Sequence, residues 1–94
     1  MSRVIYKQIL PLGYTEHTIE IPARSVFISA ENQKECLCVW YECTPGAKAS
    51  KRKIYVIETG KEKPDLQVDF LGTVLFDRGN YVVHVYVRKN EELT

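Results

Sequence analysis

Two histidines, three cysteines and one dense basic stretch are the side chains of this chain with an obvious capacity for chemistry. His17 and His84 each sit in alternating apolar and polar sequence. Neither has a carboxylate or nucleophile placed beside it as general acid–base or covalent catalysis would need. Cys36, Cys38 and Cys43 are an odd count on one short stretch. A complete intrachain disulfide framework is therefore excluded, and reduced thiols acting as small apolar filler are expected. Cys36-x-Cys38 lacks the spacing and the second ligand pair that tetrahedral zinc requires, and the chain has neither a phosphate-cradling glycine loop nor an H-E-x-x-H helix. The expectation is a protein that is not an enzyme, with no catalytic residue, metal or cofactor.

Charge is the uneven feature. Between Lys48 and Lys63 stand Lys48, Lys51, Arg52, Lys53, Lys61 and Lys63 against Glu58 and Glu62, a local +4 in a chain whose net charge is +1, so the remainder carries −3. Near-neutrality is thus a cancellation: it argues against coating bulk nucleic acid but permits one local anion site. Ser50, Lys51 and Arg52 could grip a phosphate, Arg52 bidentately and Ser50 through its hydroxyl. Trp40, Tyr41, Tyr55 and Tyr86, with His84 two residues before Tyr86, supply rings on which a base could stack. These eight are the candidate ligand-binding residues. The bland alternative has the lysines keeping loops soluble and the rings filling a core.

The elements that must position them read as strands. Val, Ile, Thr and the aromatics make 33 of 94 residues, and Ala only four. Seven short segments, each bounded by turn residues, are expected as strands: Val4 to Leu10, His17 to Ile21, Ser25 to Ala30, Cys36 to Cys43, Lys53 to Thr59, Leu66 to Phe76 and Tyr81 to Val87. Glu31 to Glu35 reads as a polar loop, and Gly72 as a bulge in the sixth strand. Asp77-Arg78-Gly79-Asn80 reads as a hairpin turn in which Gly and Asn provide the positive φ. In the last strand Tyr81, Val83, Val85 and Val87 face the core, opposite Val82, His84, Tyr86 and Arg88. The fourth strand is apolar on both faces, so it is either doubly buried or meets another subunit. The expected fold is all-β: one antiparallel sandwich or small barrel over residues 1–90, with residues 91–94 a frayed polar tail. No apolar run approaches the length of a membrane span and no signal stretch opens the chain, so a soluble cytoplasmic protein is expected.

A series of landmarks runs nearly the whole length: Tyr6-Lys7 and Leu10-Pro11-Leu12, then Thr18-Ile19-Glu20-Ile21-Pro22, then Cys38-Val39-Trp40. Thr59-Gly60, Phe70-Leu71-Gly72-Thr73 and Val83-His84-Val85-Tyr86 follow. In order and spacing these resemble a family of small domains of unknown function that recurs in bacteriophages and prophages. Where that family has a glycine after the proline of its second strand, this chain has Ala23-Arg24-Ser25. The resemblance implies a phage-encoded accessory protein acting against its bacterial host, and it carries over no catalytic residue. Together with the basic stretch and the rings, it leads to the expectation of a homo-oligomeric binding protein that sequesters a nucleotide immune signal. The alternative is a protein-interaction module that inhibits a host protein or serves as a minor structural component of the phage.

Overall fold

The computed structural model describes residues 2–65 and 67–89. The expected tail, and Leu66 at the start of the sixth segment, lie outside the described residues. The strands are β1 (Val4–Leu10), β2 (Glu16–Pro22), β3 (Val26–Gln33), β4 (Cys36–Cys43), β5 (Ala49–Glu58), β6 (Val68–Phe76) and β7 (Tyr81–Arg88). They form two antiparallel sheets, β1-β4-β3 and β2-β5-β7-β6, which face one another as a sandwich. Neither sheet closes on itself, so the barrel reading is set aside.

Two-residue periodicity decides what faces inward. Leu37, Val39, Tyr41 and Cys43 of β4 join Ile54 and Val56 of β5 and Val83, Val85 and Val87 of β7 in one buried cluster. Fully burying each aliphatic side chain contributes about 1.5–3 kcal/mol. The opposite face of β4 is mixed: Cys38 is buried, Trp40 and Glu42 are half-buried and Cys36 is exposed.

Several strand ends shift by a residue, and three larger departures from the expectation each have a local reason. β3 runs through Asn32 and Gln33, because the turn into β4 shrinks to Lys34 and Glu35, both at positive φ (54° and 61°). Asn32 holds that turn, its Oδ1 accepting from the Glu35 amide at 2.8 Å and its Nδ2 donating to the Glu35 carboxylate at 2.6 Å. β5 begins at Ala49 because it pairs with β2 back to Pro22. In the β6–β7 turn the positive φ falls on Asp77, Arg78 and Gly79, while Asn80 is at −75°. The bulge in β6 lies between Phe70 and Gly72, as expected.

β3 and β6 are the strands through which the two sheets approach most extensively. Asn32 Nδ2 donates to the Leu75 carbonyl at 2.9 Å, and a Glu35 carboxylate oxygen accepts from the Asp77 amide at 3.1 Å. This seam fixes the side of the sandwich on which the candidate site opens.

Candidate functional site

The start of β5 distributes the basic residues. Because Ser50, Lys51 and Arg52 lie in a strand rather than a loop, their side chains alternate: Ser50 and Arg52 point inward and Lys51 outward beside Glu20. The three do not converge on one ligand. Lys51 is exposed, whereas Ser50 is only 2% exposed and its Oγ has no hydrogen-bond partner among the described residues.

Arg52 is the member that reaches a groove. Its Nη1 donates to the Ser25 carbonyl at 3.0 Å, and its guanidinium carbon lies 4.9 Å from the centre of the Phe27 ring. Phe27 in turn meets Tyr41 edge-on at 6.3 Å, which gives the buried Tyr41 a supporting position behind the groove. Burial, reinforced by the nearby Cys43 and Tyr6, pushes the Tyr41 hydroxyl pKa up, so this ring stays neutral. The groove holds about 280 Å³ between β3 and the β6–β7 pair, lined by Phe27, Arg52, Asp69, Phe70, Leu71 and Arg88 among others. Asp69 is engaged by Lys89 at 3.3 Å.

Phe70 forms the exposed rim, 59% accessible, and its ring lies 5.5 Å from that of Tyr86. Strand register continues the row: Phe70 pairs with Tyr86 and Tyr86 with Tyr55, so three aromatic positions run across β6, β7 and β5. Lys63 Nζ stands 5.8 Å from the Tyr86 ring centre, within cation–π range. One row further along, His84 is gripped on both ring nitrogens, by Thr59 Oγ1 at 2.9 Å and Thr73 Oγ1 at 3.0 Å. Of the eight candidates, Tyr55, His84 and Tyr86 therefore share the outward face of the four-stranded sheet, whereas Arg52 points inward to the groove with Tyr41 behind it. Ser50 and Lys51 lie elsewhere on β5, and Trp40 is on the opposite outer face of the sandwich.

Phe27, Phe70, Asp69 and Arg88 complete the groove and were not singled out from sequence. Arg88 carried a weak signal, since it shares the outward face of β7 with His84 and Tyr86. Phe27 and Phe70 line one groove because β3 approaches β6, which no local pattern encodes.

A second cleft of about 180 Å³ is lined by Tyr14, Glu58, Lys61, Glu62 and Tyr81 among others. There burial and a hydrogen bond to Glu58 push the Tyr81 hydroxyl pKa up. Two carboxylates against one lysine make this cleft the poorer host for an anion, whereas the first groove counts Arg52 and Arg88 with Asp69 among its lining residues. Among the described residues no group of three His, Cys, Asp or Glu side chains is arranged to hold a metal ion, and no helix is long and apolar enough to cross a membrane.

The chain belongs to the family described as Domain of unknown function (DUF7352), whose model matches residues 1–94. No curated protein and no solved structure matches it.

Proposed function

We propose that this domain is a non-enzymatic, phage-encoded accessory protein that reversibly sequesters a small phosphate-bearing ligand, a nucleotide immune signal of the bacterial host, in the cytoplasm of the infected cell. The observation that carries this reading is the placing of Arg52 and Arg88 in one groove with Phe27 and the exposed Phe70. Guanidinium forks match phosphate oxygens bidentately, and an exposed ring accepts a base by stacking at about 1–3 kcal/mol. The volume sharpens the ligand class. At about 280 Å³ the groove lies just below the usual 300–1,000 Å³ of small-molecule sites, which favours a mononucleotide-sized anion over a dinucleotide. Reversible capture needs no bond to break, and the resemblance of the chain to phage-borne domains supplies the context.

Calorimetry of the purified protein against AMP, ADP-ribose, a cyclic dinucleotide and inorganic phosphate tests the reading. Saturable heat with the aromatic-bearing nucleotides, weakened about tenfold or more by Arg88→Gln and by Phe70→Ala, is the expected result. Absence of heat for every compound at roughly millimolar concentration, where binding is worth only about 4 kcal/mol, overturns it.

A second reading is a protein-interaction module that inhibits a host protein or forms a minor part of the phage particle. Strand β1 favours it: among the described residues β1 pairs only with β4, runs seven residues without proline or bulge, and offers its other edge for strand addition. A stoichiometric host protein recovered with the domain, in the absence of nucleotide binding, would decide for this reading.

A further inference from the structure

Strand β4 sets two of its three thiols on one side. Cys36 and Cys38 share the outward face with Trp40 and Glu42, whereas Cys43 points inward into the core cluster. Cys36 is exposed and Cys38 is 1% exposed, and both line a cleft of about 260 Å³ together with Lys7, Ile9, Gln33 and Lys34. The cover over Cys38 is light. Register places Lys7 beside Trp40 and Gln33 beside Cys36, so the hydrogen bond from Lys7 Nζ to Gln33 Oε1 at 2.6 Å runs diagonally past Cys38 between two exposed side chains.

We propose that Cys36 and Cys38 together bind Cu(I), each supplying one thiolate to a two-coordinate, near-linear site within the chain. Spacing is the argument. Residues i and i+2 of a strand stand about 6.6 Å apart, whereas the Cβ atoms joined by a disulfide are only about 3.5–4.5 Å apart. The two sulfurs therefore cannot bond to one another without moving the β4 backbone. An interposed ion lengthens the reach: two metal–sulfur bonds of about 2.3 Å in line span about 4.6 Å, where an S–S bond spans about 2.0 Å. The Cβ atoms so joined are held about 6–7 Å apart, which is the spacing the strand already has.

The donor set chooses the ion. Among the described residues no group of three His, Cys, Asp or Glu side chains is arranged to hold a metal, so tetrahedral zinc and octahedral hard cations lack ligands here. Cu(I) is soft, favours thiolate and is satisfied by two ligands in line. Register sets Glu31 beside Cys38, but its carboxylate is a hard donor, and Glu31 lines the neighbouring depression with Trp40. Binding is a substitution without redox change: each thiol gives its proton to solvent and a sulfur lone pair to the ion. Two thiolates on a monovalent cation leave one negative charge, which the ammonium groups of Lys7 and Lys34 at the cleft offset. A bare ion reaches Cys38 once the Lys7–Gln33 pair parts, whereas a bulkier thiol reagent stops at Cys36. Nothing here depends on nucleotide capture, because the nucleotide groove opens at the β3–β6 seam and shares no residue with this cleft.

The test titrates fully reduced protein with Cu(I) under anaerobic conditions in competition with the chromophoric chelator bicinchoninate. Parallel samples are treated with iodoacetamide and mapped by mass spectrometry. The expected result is one Cu(I) withdrawn from the chelator per chain, without copper-dependent association, and protection of Cys36 from alkylation. Cys36→Ser, an exposed change that should leave the far-UV circular dichroism as it is, and independently Cys38→Ala, should each weaken binding by more than the roughly 100-fold that outer-shell changes cost. Zn(II) at the same concentration should leave Cys36 unprotected. Failure to withdraw Cu(I) from the chelator overturns the proposal, as does undiminished binding by Cys36→Ser. Half an ion per chain with copper-linked dimers overturns it too, since the ion would then bridge two chains, and so does equal protection of Cys36 by Zn(II).

Discussion

The Arg52 guanidinium carbon lies 4.9 Å from the centre of the Phe27 ring while its Nη1 donates to the Ser25 carbonyl at 3.0 Å. One side chain from the first half of β5 thereby ties the four-stranded sheet to the edge strand of the other and presents a fixed planar cation to the groove.

Replacing Arg52 by Lys should cost about 1–2 kcal/mol of stability in chemical denaturation, because an ammonium reproduces neither the stacked plane nor its fork of donors. A double-mutant cycle with Phe27→Leu should return a coupling of about 0.5–1 kcal/mol. No coupling would mean that the ring and the cation are merely adjacent.

Ser50 predicts the opposite sign. Its Oγ is buried and has no partner among the described residues, a loss of about 1–3 kcal/mol when a polar atom is sealed from water. Ser50→Ala should therefore be neutral or stabilising by about 1 kcal/mol. Clear destabilisation would show that the hydroxyl is bonded.

Asn32→Ala should loosen the seam between β3 and β6. It removes donation to the Leu75 carbonyl and support of the Lys34–Glu35 turn, at about 1 kcal/mol. Faster amide exchange confined to Leu75, Asp77 and the turn is the signature. Glu35 also titrates low, first because of Asn32 and then because of the Asp77 amide, so its contribution is present at neutral pH and is lost as pH falls below the ordinary glutamate value. In Asn32→Ala that acid dependence should shrink.

His17 supplies a second pH dependence with its own window. Burial pushes its pKa below 6.5, outweighing the opposite effect of the Tyr14 carbonyl. The neutral ring is the one compatible with the fold, so its contribution is complete above about pH 6.5 and declines as pH falls through the depressed value. His17→Gln should flatten the stability profile on the acid side of about pH 6.5. An unchanged profile would remove His17 as its source.

The three thiols should separate by reactivity, since Cys36 is exposed while Cys38 and Cys43 are buried. A thiol reagent should modify one cysteine per chain quickly under native conditions and the other two only on unfolding. Rapid loss of all three would contradict the packing of β4.

Much of the architecture was legible because strand chemistry is local. The bounds of β1 and β4, the inward set Val83, Val85 and Val87, and the bulge beside Gly72 all follow from alternation and turn residues. The site was legible only in part. Tyr55 and Tyr86 stand out in the sequence as rings but only the register pairs them, and Ser50, Lys51 and Arg52 are sequence neighbours that the strand divides between two faces. The placing of Phe27 and Phe70 along one groove depends on how the sheets cross, which no stretch of sequence records.

The central claim, that a phosphate-bearing ligand sits between Arg52 and Arg88, is tested most directly by titrating isotope-labelled protein with AMP and following the amide and arginine side-chain resonances. Saturable shifts concentrated at Phe27, Arg52, Phe70 and Arg88, with little change at Lys51 or on the Trp40 face, are the predicted result. Shifts scattered over the exposed lysines that vanish with added salt, or no shifts at all, would contradict it.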